Sequence, residues 1–393
     1  MKTAAIICEY NPFHFGHEYQ IRELRREIGE DTVVISVMSG SFTQRGEPAV
    51  YGKYVRARAA LSCGADLVVE LPAPWSMAGA EFFARGGVSV AKKLGVDCLC
   101  FGGESELETL KTAAENLGSD EFRREFLIEK DKFPSDSLNS IRERTYKKLY
   151  SSPLFAGSND ILALEYLRAI NGSEIEPIRV KRVGEKYNPD GEFLSDSLNF
   201  SSASTIREKI LNSVFPTELM PEKAAEIFRD ADLHRTSNLD AIVTAYLRFF
   251  DGRMPGIEIS GGIENRLKRA AERNFGVNKI IEASVERRFS ASRLRRAIFG
   301  AICGFDAKEY ESEPEFTQIL AANQRGREFL SSIRKKRELC ILTKPANFNR
   351  LPEKAKKQFE SSFRAESLWA LSADDESKRR ADELLRAVPY IEN

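Results

Sequence analysis

The sequence predicts an α/β fold: a doubly wound parallel sheet followed by a mostly α-helical C-terminal domain. Two observations carry this. In the first half, short and nearly continuous apolar runs alternate with longer helical patterns, as expected for strands buried on both faces and joined by crossover helices. After about Phe215, β-rich runs become rare and helical periodicity takes over. A chain of 393 residues is also long for one core, so two domains are expected, 1–212 and 213–393.

The strands expected in order are Thr3–Cys8, Thr32–Met38, Asp66–Leu71, Asp97–Phe101 and Ile175–Val183. Between them Gly16–Ile28, Lys53–Cys63, Ala80–Leu94 and the stretch from Glu104 to Asn116 read as helices. Ser119–Ile170 reads as wholly helical, an insertion before the last strand. Pro216 and Pro221 bracket the change of texture. Beyond it Leu239–Phe250, Gly262–Phe275, Ser290–Ile302 and Ser332–Leu342 are the expected helices.

Hydrophobic residues at 42% and charged residues at 30% describe an ordinary globular protein. The six cysteines form no CxxC pair and no zinc spacing, so no metal site is expected from them. Most lie in apolar stretches, which points to buried free thiols and a reducing, cytoplasmic location. The longest charge-free run, Thr32 to Gln44, has 13 residues, too few to span a bilayer, and no membrane partner is expected. Lysine plus arginine number 59 and aspartate plus glutamate 59, which excludes a uniformly basic nucleic-acid binder. The charge is unevenly spread, however. From Gly261 to Arg350 there are 19 basic residues against 11 acidic ones, an excess of eight. The dense spots are Arg287 and Arg288, then Arg293, Arg295 and Arg296, then Arg334-Lys335-Lys336-Arg337. A spacing of three places Arg293 and Arg296 on one helix face, suited to neutralising phosphates.

Chemistry concentrates where the first strand ends. The run Ile7-Cys8-Glu9-Tyr10-Asn11-Pro12-Phe13-His14-Phe15-Gly16-His17 leaves the strand, turns at Asn11-Pro12 and opens a helix. Two of the three histidines in the chain lie within this HxGH tetrapeptide. The carboxyl edge of a strand is where α/β sheets bind ligands, and free N–H groups at a helix start favour phosphate. Gly16 admits a ligand close to the backbone, and the histidines can donate hydrogen bonds to phosphate oxygens as charge grows on them. After the fifth strand comes Ser202-Ala203-Ser204-Thr205-Ile206-Arg207, where Ser202 or Ser204 can cap a helix and Arg207 sits one turn in. Gln44-Arg45-Gly46-Glu47-Pro48 lies past the second strand. Two fates are open to Arg45: a contact with phosphate or RNA, or an ion pair with Glu47.

The strand, the NPxHxGH loop and the following helix resemble the HxGH nucleotidylyltransferase superfamily, whose second signature is a serine turn leading to an arginine. Further segments are similar to the tRNA(Met) cytidine acetate ligases within it: Val37–Ala49, Asp66–Pro72, Ala80–Ala84, Cys100–Glu104, Ser158–Leu162, Val180–Gly184, Gly261–Arg266 and Arg288–Arg296. The resemblance implies two steps. Acetate attacks the α-phosphate of ATP to give acetyl-adenylate and pyrophosphate. The acetyl group then passes to the exocyclic amine of the wobble cytidine of elongator tRNA(Met). It implies that Ile7, Cys8, Glu9, Tyr10, Asn11, Pro12, Phe13, His14, Phe15, Gly16 and His17 form the ATP loop, with Gly102, Asn159, Arg182 and Ser204 also at the nucleotide. His14, His17 and Arg207 are the expected catalytic residues, and Arg287, Arg288, Arg293, Arg295 and Arg296 the expected tRNA contacts. Mg²⁺ is expected to accompany ATP, as in other displacements at phosphate. Two other functions use the same features: an adenylyltransferase for a small phosphorylated metabolite, and a non-catalytic RNA-binding protein that keeps the nucleotide fold.

Overall fold

The apolar runs become β1 (Thr3–Cys8), β2 (Val33–Ser39), β3 (Leu67–Leu71), β4 (Cys98–Gly103) and β5 (Glu176–Lys181) of a computed structural model that describes residues 2–152, 154, 155, 157–181, 201–335 and 338–392. Every residue of β1, β2 and β3 is buried, which is why these runs show no polar alternation. The five strands are parallel, in the order β5-β4-β1-β2-β3. Successive side chains point to opposite faces. Ala5, Ile7, Val33, Ile35 and Val37 therefore serve one core layer, and Ala4, Ile6, Cys8, Val34 and Met38 the other. From β1 the chain builds outward through β2 and β3, then returns to place β4 and β5 on the opposite side. The reversal between β1 and β4 leaves a crevice at their carboxyl ends.

The helical insertion forms as expected, with helices Asp120–Lys132, Leu138–Tyr150 and Ser158–Ile170. Downstream, helices Asp240–Phe249, Ile263–Arg273, Val277–Ser284 and Ala291–Ile302 bury Val243, Leu267, Ile280, Ile298 and Phe299 in a further cluster shared with Phe42, Ala73 and Met77 of the first half and with Trp369.

The last part of the chain adds strands to a half that is otherwise mostly helical, as expected. Phe316–Ala322 is a sixth strand, β6, antiparallel to β3, with β7 (Cys340–Leu342) and β8 (Tyr390–Ile391) each parallel to β6. The strand near Ile175 is therefore not the last. The helix expected at or near Ser332–Leu342 lies earlier, at Gln324–Ser332, and β7 occupies Cys340–Leu342. Residues beyond 213 thus extend the sheet of the first half as well as building helices. The polar groups Thr317 and Gln318 disguise β6 in sequence, but both are buried and bonded, Thr317 to the Glu70 carbonyl at 2.6 Å and Gln318 to the Tyr54 hydroxyl.

The helix Glu353–Ala370 locks onto the sheet from the side. Trp369 Nε1 donates to the Ala49 carbonyl at 2.8 Å, and its ring stacks on buried His234 at 3.5 Å. Beside it Lys53 Nζ bonds both Glu70 Oε2 (3.0 Å) and Glu366 Oε2 (2.7 Å). All six cysteines are free thiols, and among the described residues no helix is long and apolar enough to cross a membrane.

Candidate active site

At the end of β1 the chain must leave the sheet quickly, and Tyr10 does so at φ 46°, a left-handed conformation that costs a side-chain-bearing residue energy. The surroundings hold it there. Its hydroxyl lies 3.0 Å from Ser36 Oγ, and its ring packs 4.9 Å from both Phe13 and His17. Buried Asn11 accepts from the Val50 N–H at 3.0 Å, so the loop is tied to the segment that Trp369 also grips. Phe13 is wholly buried and Pro12 follows a cis peptide.

His14 is the N-cap of the helix Phe15–Ile28. Its Nδ1 accepts from the Gly16 N–H at 3.0 Å, and His17 Nδ1 accepts from the His14 N–H at 3.2 Å, a capping box built from two imidazoles. This geometry selects the tautomer. With Nδ1 an acceptor in both rings, each neutral imidazole carries its proton on Nε2. The rings lie 3.8 Å apart, and both residues line the cleft at the end of β1. Capping thus uses Nδ1 of each ring.

Arg207 comes from the helix Ala203–Leu211, which Ser202 caps by accepting from the Thr205 N–H at 3.2 Å. Its Nη1 donates to the Asn11 carbonyl at 2.8 Å, and Nη2 lies 3.7 Å from Glu47. The second motif is thereby brought onto the first across 196 residues of sequence. Ser204 is exposed, its hydroxyl 2.8 Å from that of Ser202. Gly102, at the end of β4, faces open space: a β-carbon there would meet nothing within 4 Å. Asn159 donates to Glu104 Oε1 at 3.2 Å. Arg182 lies outside the described residues.

These groups line one cleft of about 1320 Å³, more than a single small-molecule pocket usually holds. His14, His17, Gly102, Asn159, Ser204 and Arg207 line it, together with Arg287, Arg288, Arg293 and Arg296. The five arginines divide in two. Arg293 and Arg296 both pair with Glu258, at 3.3 and 2.6 Å, while Arg295 pairs with Glu47 at 3.3 Å. Arg287 is exposed, and Arg288 lies half-buried with its guanidinium 5.5 Å from the Phe289 ring. Of the later cluster, Arg334 and Lys335 are exposed, and Lys336 and Arg337 lie outside the described residues.

One essential support has no sequence signature. Arg56, wholly buried, donates to the carbonyls of Glu9 (2.6 Å), Tyr51 (3.0 Å), Ser39 (3.2 Å) and Gly40. It fastens the carboxyl ends of β1 and β2 together beneath the loop. Burial lowers its pKa to about 10, so the guanidinium stays charged at neutral pH. Glu9 accepts from the Gln44 N–H at 2.7 Å, and burial holds its carboxyl above the ordinary range. Among the described residues no group of three or more His, Cys, Asp or Glu could hold a metal ion. Of the carboxylates lining the cleft, Glu9 accepts from the Gln44 N–H and Glu47 pairs with Arg207 and Arg295.

The model of the HIGH Nucleotidyl Transferase family matches residues 1–383. The tRNA(Met) cytidine acetate ligase of Acetivibrio thermocellus is 32% identical, with 97% of each chain covered. That of Caldicellulosiruptor bescii is also 32% identical, covering 100% of this chain and 99% of the relative. Among solved structures, Thermotoga maritima TmcAL in its apo form superposes with a TM-score of 0.89 at 28% identity, over 100% of this chain and 99% of that one. The form bound with alpha-thio ATP gives 0.88 at 27%, with the same coverage.

Proposed function

The chain belongs to the HIGH nucleotidyl transferase family and, within it, to the tRNA(Met) cytidine acetate ligases, and from that premise we propose how its residues carry the reaction. An acetate oxygen attacks the α-phosphorus of ATP, the bond to the β-phosphate bridging oxygen breaks, and pyrophosphate leaves with that electron pair. The amine nitrogen of the wobble cytidine then attacks the acetyl carbonyl. AMP departs, and the nitrogen gives up a proton to yield N4-acetylcytidine.

The observation that supports this best is the pair of Nε2–H donors, fixed by two Nδ1 acceptors at the sheet's switch point. Donors already oriented toward a phosphate stabilise the charge that builds on it without reorganising. Arg207, held at the Asn11 carbonyl, serves the leaving pyrophosphate. Gly102 and Asn159 border the nucleoside end, and Ser204 the phosphate end. Mg²⁺ accompanies the triphosphate, where its charge would offset that of the phosphates. In the same cleft Arg287 and Arg288 meet the RNA backbone, and Arg293, Arg295 and Arg296 seat their helix against the nucleotide side. The location that suits a tRNA substrate and six free thiols is the cytoplasm.

The test uses purified protein, ATP, labelled acetate and tRNA transcripts. Acetate-dependent exchange of pyrophosphate into ATP, with label entering elongator tRNA(Met), is expected. ATP consumption only with a phosphorylated metabolite, or salt-sensitive tRNA binding without turnover, would overturn the proposal in favour of an adenylyltransferase or a non-catalytic RNA-binding protein.

A further inference from the structure

The Thr43–Glu47 turn is braced from both halves of the chain. It is closed by Gly46 N–H to the Thr43 carbonyl (2.8 Å) and by Thr43 N–H to the Glu47 carbonyl (3.0 Å). The Gln44 N–H donates to Glu9 at 2.7 Å, and the Gln44 carbonyl accepts from Arg296 at 3.2 Å. Gly46 has φ 76°, and a β-carbon there would lie 2.7 Å from the Arg296 amide nitrogen, so the turn sits directly on the backbone of helix Ala291–Ile302. Glu47, the carboxylate nearest in sequence to Arg45, is taken by Arg207 and Arg295.

Arg45 stands at the tip of this rigid turn. It is exposed, lines the cleft, and among the described residues has neither hydrogen bond nor ion pair. Of the two acids near it, Glu47 is held by two other arginines, and Glu9, which Arg45 stabilises only through space, accepts from the Gln44 N–H, so the guanidinium keeps its donors for a ligand. We infer that Arg45 is a phosphate-binding residue of the cleft, placed on the wall between the paired histidines and the arginine helix. A guanidinium is a fork of donors matched to phosphate oxygens. Fixing its backbone on both sides removes much of the ordering cost that a flexible surface arginine would incur on binding. The phosphate belongs either to ATP or to the tRNA backbone, since both are substrates in the function proposed above, on which this inference rests.

The experiment compares wild type with Arg45→Ala and Arg45→Lys in two assays. In tRNA-free, acetate-dependent pyrophosphate exchange, a contact to ATP raises the KM for ATP about tenfold or more in Arg45→Ala, with a smaller rise in Arg45→Lys. In binding of elongator tRNA(Met) transcript, a contact to RNA leaves exchange unchanged and lowers the slope of log affinity against log salt by about one. Either result supports the inference and identifies the source of the phosphate. Arg45→Ala matching wild type in both assays overturns it. Wild type lacking acetate-dependent exchange would instead overturn the proposed function. Because the side chain is exposed and unpaired, the thermal midpoint of Arg45→Ala should match that of wild type, so a change in either assay reflects binding.

Discussion

The Lys53–Glu70–Glu366 cluster allows a quantitative test of how the C-terminal helix is held to the sheet. The side chains are 3%, 5% and 11% exposed, and the single ammonium serves two carboxylates. Burial pulls the Lys53 pKa down, but Glu366 and Glu70 outweigh it and hold the pKa above the ordinary lysine value. Burial pushes Glu366 up, against the pull of Lys53. In Lys53→Met the apolar stem is kept and the charge removed, leaving two buried carboxylates facing each other. Stranding a buried charge in this way costs about 3–5 kcal/mol. The loss depends on pH, with a definite sign. Without Lys53 the Glu366 carboxyl, already pushed up by burial, loses the charge that opposed the rise, so folding takes up a proton. The variant is then best placed below the unfolded carboxyl range and loses stability as pH rises through the folded value. A raised group contributes up to about 1.4 kcal/mol per pH unit. The gap between wild type and variant should therefore be widest near pH 7.5 and smaller by roughly 2 kcal/mol near pH 5.5. Urea unfolding followed by tryptophan fluorescence measures it at each pH. A gap that stays constant with pH, or a variant as stable as wild type at pH 7.5, would refute the reasoning. Adding Glu70→Gln and Glu366→Gln should restore most of the loss, since no charge is then stranded.

Three further outcomes are expected. His17→Ala should abolish acetate-dependent pyrophosphate exchange while keeping tRNA binding, whereas His14→Ser, which can still cap the helix, should stay within about 1 kcal/mol of wild-type stability yet lose exchange by about 100-fold; loss of tRNA binding in His17→Ala would make that ring structural. Gly46→Ala, forced into a left-handed φ and against the Arg296 backbone, should cost about 2 kcal/mol or more and reproduce whichever defect Arg45→Ala shows; thermal melts together with the same two assays check this. Burial lowers the His234 pKa to about 4, so its contribution is present above the unfolded value near 6.5 and is lost as pH falls toward 4. His234→Gln should accordingly flatten the acid side of the stability profile, seen in thermal midpoints between pH 7 and 4.5.

Much of the site was legible because its signals are local. NPxHxGH at the end of an apolar run specifies a strand, a turn and a helix start within a few residues, and the capping box of His14 and His17 is made wholly inside that segment. The serine turn before Arg207 likewise states its own helix start. The arginine cluster was legible as charge, but its division was not: Arg293 and Arg296 are paired by Glu258, about 35 residues away in sequence, and Arg295 by Glu47 in the first half of the chain. Asn159 is expected at the nucleotide, and its bond to Glu104, carried by the segment after β4, has no sequence signature.

By itself the sequence determined the five parallel strands, the crossover helices and the loop that carries the histidines, because hydrophobic periodicity and turn chemistry act between near neighbours. Only the tertiary structure decided that Phe316–Ala322 is a strand, that Arg56 is the buried clasp beneath the loop, and that Glu47 leaves Arg45 unpaired. Each of these depends on groups far apart in the chain. A buried carbonyl, an unpaired sheet edge or a carboxylate exerts its demand through space, and folding alone determines which residue meets it.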